Sequence, residues 1–179
     1  MKQFLLLGLP VLALEFLGLF FLAELPPNHA QTIPTAHYQF HGKVYLPDDT
    51  VTPGVIRTTN QSEICDPKFR TAPYRLTTQA MKNEVYKEYG VERNKDVCLG
   101  GCEVDHRVPL ELGGLDDIRN LWPQPSQPKP GFHEKDKLEN WLREQVCIEK
   151  KMLLTDAQKA LIGDWFSAYE KIPTGEAGK

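Results

Sequence analysis

The sequence predicts an α+β fold: a strand, a turn, a second short strand and a helix, with additional helices and disulfide-stapled loops around them. Three observations carry this. "EVDHRVPLEL" and "NLWPQP" read as short extended stretches on either side of the double glycine Gly113-Gly114. Apolar residues recur at helical spacing after Thr78, after Phe132 and after Thr155. The four cysteines are an even number, which suits two disulfides in an oxidising compartment.

The elements follow in chain order. The opening "MKQFLLLGLPVLALEFLGLFFLAELPPNHAQ" has one early cation, Lys2, and an apolar stretch to Ala23 whose only charge is Glu15. This is the pattern of an export signal over residues 1–30, with Ala30 at the cleavage site. The run is also long enough to serve as a retained membrane anchor, which takes roughly 20 residues. Either way Lys2 favours export of the remainder, to a secreted, periplasmic or membrane-anchored location. Residues 31–46 are expected to form a Pro-rich linker followed by one strand, "YQFHGKVYL". The turn-rich segment from Pro47 to Arg75 reads as irregular. A helix is expected from Thr77 or Thr78, with Met81, Val85 and Tyr89 on one face and Gly90 as its stop.

After the two short strands, a helix is expected over about 132–148. Leu138, Trp141, Leu142 and Val146 form its core face, and His133, Lys137 and Asn140 lie on another. A last helix is expected from Thr155, where "TDAQ" reads as a capping box and Trp165 and Ala168 extend the buried stripe. Trp122, Trp141 and Trp165 are expected to pack in or near the core, and residues 173–179 form a tail. Four cysteines allow three pairings, and spacing alone does not choose. The expected pairing is Cys98–Cys102 as a local staple and Cys65–Cys147 as a long tie. Zinc is the poorer alternative, because only one close-spaced couple exists.

The net charge of −3 means that any contact with nucleic acid must come from local cations. The chemistry concentrates between Asp105 and His133. A carboxylate beside a histidine can pair a hard cation with a proton acceptor, and an amide can hold a ring in place. Neighbouring strand residues face opposite ways, so Asp105 and His106 share a site only where the backbone bends. Pro109 and the glycines make such a bend expected. Water activated beside a cation is what phosphodiester hydrolysis requires.

"DHRVPLELGG", then "RNLW", then "HEKDKLENWL" resembles the HNH endonuclease family, of the ββα-metal or His-metal-finger kind. The likeness to secreted bacterial HNH-type nucleases extends over about residues 47–170, and the nuclease-like domain is expected over 47–172. The resemblance implies a core of two antiparallel strands and a helix. It implies His106 as general base, Asn120 as the residue that orients His106 and braces the loop, and Asp105 and His133 as metal ligands. Two departures stand out. The zinc-binding cysteine pair of many HNH proteins is not at these positions, and "PQPSQPKPGF" lies between Asn120 and His133, so that Asp136 or Glu139 could take the place of His133. The implied cation is magnesium or manganese, although a histidine-bearing site could also hold zinc or nickel. The expected activity is metal-dependent cleavage of phosphodiester bonds, in DNA with little sequence preference, since no recognition module is visible. Lys129, Lys135 and Lys137 are the candidate contacts to backbone phosphates. The alternative is a non-catalytic nucleic-acid-binding or structural envelope protein with a degenerate site.

Overall fold

The structure is a computed structural model and describes residues 36–173. The apolar N-terminal segment, the Pro-rich linker up to residue 35 and the tail from residue 174 lie outside the described residues. Among the described residues no helix is long and apolar enough to cross a membrane.

The architecture is α+β. Strands β1 (Tyr38–His41) and β2 (Val44–Pro47) form an antiparallel hairpin, with His41 paired to Val44. The single strand expected here is therefore two. Gly42 adopts φ +58°, which glycine reaches without a side-chain clash, and Gly42-Lys43 turn the chain in two residues. A short helix α1 (Gln61–Ile64) interrupts the irregular segment and is capped by the Asn60 side chain. Helix α2 (Gln79–Glu88) starts at Thr78, whose hydroxyl accepts from the Met81 amide, and stops at Gly90 with φ +65°.

Strands β3 (Cys102–His106) and β4 (Leu121–Pro125) pair antiparallel, with Asp105 opposite Trp122 and His106 opposite Leu121. Helix α3 (Phe132–Arg143) follows. The Glu134 carboxylate reaches back 2.9 Å to the Gly131 amide, which satisfies one of the orphan donors at the helix start. A wider π-helical turn, Glu144–Ile148, ends the helix. The last helix is broken in two, α4 (Leu154–Ile162) and α5 (Trp165–Tyr169). Thr155 does not cap α4, and Gln158 does not reach back to it. The Gln158 amide instead donates to the carbonyls of Thr58 and Leu112. The break falls at Gly163-Asp164, where the Asp164 side chain caps α5 by accepting from the amides of Phe166 and Ser167.

The site segment is held from both sides. Val108 and Leu112 pack with Leu138 and Leu142 of α3 and with Leu154, Ala157 and Leu161 of α4. Leu121 and Trp122 of β4 pack with Val85 of α2, with Tyr89 just past its end and with Tyr38 of β1. Trp165 is buried as expected, and Trp141 is partly buried against the first cluster. Arg107 is 2 % exposed and donates to the carbonyls of Thr52 and Ile162, which ties the start of the loop to α4.

The disulfides are Cys65–Cys147 and Cys98–Cys102, the pairing expected from the sequence, and among the described residues no cysteine is free. Their sequence separations are 82 and 4 residues, so loop closure ranks them. In the chain-entropy account the long tie contributes about 4.5 kcal/mol and the short staple about 2 kcal/mol. Urea denaturation of Cys65→Ser/Cys147→Ser should therefore show a loss roughly twice that of Cys98→Ser/Cys102→Ser. Equal losses would mean that closure entropy does not set the stabilisation.

Candidate functional site

The segment between β3 and β4 is shaped by one amide. Asn120 is 0 % exposed. Its Oδ1 accepts from the Val108 amide at 3.0 Å, and its Nδ2 donates to the carbonyls of Val108 at 2.9 Å and Leu115 at 2.8 Å. The Asn120 carbonyl also accepts from the Arg107 amide at 2.7 Å. The expected bracing role is thus met by geometry. The expected contact to the His106 ring is not: all three side-chain bonds shown go to backbone. Gly114 makes the close approach feasible, since a Cβ there would lie 1.9 Å from the Val108 oxygen.

The partner of the His106 ring is Asp116, whose Oδ1 lies 2.8 Å from His106 Nε2. Both side chains are nearly out of solvent, at 8 % and 1 % exposure. The Asp116 carboxylate also accepts from the Leu76 amide, from the Thr77 amide at 2.6 Å and from the Thr77 hydroxyl. Burial alone would raise Asp116, but the bonds from Thr77, His106 and Leu76 hold it below the usual carboxylate range. An ionised carboxylate only accepts, so His106 donates through Nε2–H, and the neutral ring keeps its lone pair on Nδ1. Burial pushes His106 below the ordinary histidine value, against the opposing pull of Asp116 and Asp105. Asp116 sits ten residues after His106, and its only signal in the sequence is a carboxylate just past the double glycine.

Asp105 and His106 do reach one site. His106 is the last residue of β3, and the Asp105 carboxylate turns to accept from the His106 amide at 2.8 Å. Both line a cavity of about 180 Å³, with Arg75, Glu111, Asp136 and Glu139 also on its wall. Burial raises the Glu111 and Asp136 carboxyls, and for Asp136 the nearby Asp105 adds to the rise.

The remaining expected residues are placed otherwise. His133 is exposed, its ring tilted against Phe132 at 4.3 Å between centroids, and it is not on the wall of the cavity that holds Asp105. Lys129 and Lys137 are exposed, and Lys129 lies 3.9 Å from Glu134. Lys135 is 1 % exposed and cannot lie along a nucleic-acid backbone as expected. Its ammonium donates to Asp105 Oδ2 and to the His106 carbonyl, both at 2.7 Å, and to Glu139 Oε1. Burial opposes the Lys135 charge, but Asp105 and Glu139 outweigh it and raise its pKa above the ordinary lysine value. Burial also pushes Glu139 upward, against the pull of Lys135.

The carboxylates at the cavity are the donors a hard divalent cation takes, yet their arrangement does not suit one. One oxygen of Asp105 and one of Glu139 hold the Lys135 ammonium, and the other oxygen of Asp105 holds the His106 amide. Among the described residues no group of three or more His, Cys, Asp or Glu side chains is placed to hold a metal ion. As folded, the residues do not fit a metal at Asp105.

Comparison with known proteins finds no family model, no curated protein and no solved structure that matches this chain.

Two outcomes test this geometry. By NMR titration the His106 ring should show a midpoint below about 6.5, and Asp116→Asn should lower it further, since the imidazolium loses its anion. Stability should fall as pH drops from about 6.5 toward the folded midpoint, because the unfolded chain binds the proton more tightly there. A midpoint unchanged by Asp116→Asn would show that the carboxylate does not govern the ring. Separately, Asn120→Ala strands three buried backbone groups and should cost about 2–4 kcal/mol in urea denaturation; a loss within error of zero would contradict the clamp.

Proposed function

We propose that the chain is an exported endonuclease of the HNH kind that hydrolyses phosphodiester bonds, with DNA as its substrate and little sequence preference. One observation supports this above the others: a buried histidine, pushed by burial below the ordinary histidine value and held by a fully bonded carboxylate, opens on a cavity that Arg75 also lines. The strand-strand-helix order around it agrees with the resemblance of "DHRVPLELGG" and "RNLW". The disulfides agree with an oxidising compartment and hence with export.

In this reading His106 Nδ1 takes a proton from water. The water oxygen bonds to phosphorus as the bond from phosphorus to the leaving oxygen breaks, and that oxygen is protonated from solvent. Asp116 holds the ring and stabilises the imidazolium that forms. Arg75 is exposed at the cavity and faces the phosphate oxygens, where a guanidinium gives paired hydrogen bonds. Lys129 and Lys137 extend the grip along the backbone.

Single-turnover plasmid cleavage tests the reading. His106→Ala should lower the rate by about 10²–10⁴. Asp116→Asn and Asn120→Ala should each cost less, because they act through His106, and either combined with His106→Ala should add little. Arg75→Ala should weaken substrate binding as well as rate. The wild-type rate should rise with pH through the lowered His106 midpoint and be level by neutral pH. Cleavage by His106→Ala near the wild-type rate would sink the assignment. A gel shift without cleavage would favour a binding protein with a degenerate site.

A further inference from the structure

We propose that Lys135 is a resident cation of this core: its ammonium occupies the position between the strand-end carboxylate and the helix carboxylate that a divalent ion would otherwise take. This deepens the nuclease reading by naming the cation next to the base. The geometry is complete without a ligand from outside. Lys135 and Glu139 are four residues apart on α3 and so share the face turned toward the end of β3. The three donors of the ammonium meet three oxygens, those of Asp105, Glu139 and the His106 carbonyl. The side chain is 1 % exposed, which leaves no donor for substrate.

The arrangement has a consequence that a merely structural lysine would not have. Removing the ammonium leaves two carboxylates and a carbonyl converging on a vacated position, all of them oxygen donors of the kind manganese accepts. Lys135→Ala should therefore create a manganese site that the wild type does not have.

Manganese titration of the full chain, followed by electron paramagnetic resonance and calorimetry, decides this, and it reads the protein whether or not it cleaves DNA. The expected result is no Asp105-dependent manganese site in the wild type. Lys135→Ala should gain one site of unit stoichiometry, and adding Asp105→Asn should remove it. A wild-type site that Asp105→Asn abolishes would overturn the proposal, since manganese would then displace the ammonium. A folded Lys135→Ala that binds no manganese would overturn it too. If Lys135→Ala does not fold, the wild type compared with Asp105→Asn still decides.

Discussion

The side-chain amide of Asn120 is the constraint on which the site depends. The chain leaves β3 at His106 and must return to β4 at Leu121 in register, after fourteen residues that belong to neither strand. Such a loop carries backbone groups into the interior, and each must find a partner. Asn120 supplies partners for both polar groups of Val108 and for the Leu115 carbonyl from one fully buried side chain. With 108 and 115 fastened to the foot of β4, Asp116 arrives next to His106 at hydrogen-bonding distance. The ring is therefore oriented by Asn120 at one remove, through the path of the loop.

Part of this was legible in the sequence for identifiable reasons. The strand-turn-strand-helix order rests on glycines, prolines and apolar spacing, which act locally, and those signals held for α2, β3, β4 and α3. The hairpin of β1 and β2 hid behind an alternating pattern that runs straight through Gly42, and α4 and α5 hid behind a continuous apolar stripe across Gly163. In the site, Asp105 and His106 could be read because they are adjacent. Asp116 could not, since its approach to the ring is made by the loop and has no period. His133 is exposed in the first turn of α3 and off the cavity wall, while Lys135 and Glu139, four residues apart, share the face turned to the end of β3; residues two apart on a helix lie roughly 200° apart. Lys135 was misread because a lysine among charges resembles a solvated face, and only the fold shows the carboxylates that bury it.

The electrostatics of the cavity follow from the same crowding. Glu111, Asp136 and Glu139 are all shifted upward, with burial as the largest cause. In the proposed reaction a phosphate entering here meets a wall rich in carboxyl groups. The compensation there has to come from cations with free reach, and that distinguishes the exposed Arg75 from the buried Lys135. Asp116 links the two halves of the problem: it holds His106 on one side and the amides of Leu76 and Thr77, directly after Arg75, on the other.

The long disulfide also orders events in time. Cys65 precedes every residue on the cavity wall, and Cys147 follows every one of them. A chain made from its N-terminus has the whole of β3, the loop, β4 and α3 in hand before the second thiol emerges. The small ring at Cys98–Cys102 can close much earlier, at the root of β3. The large ring can therefore close only after all of these elements have been made, and a truncation anywhere before Cys147 would leave Cys65 without its partner.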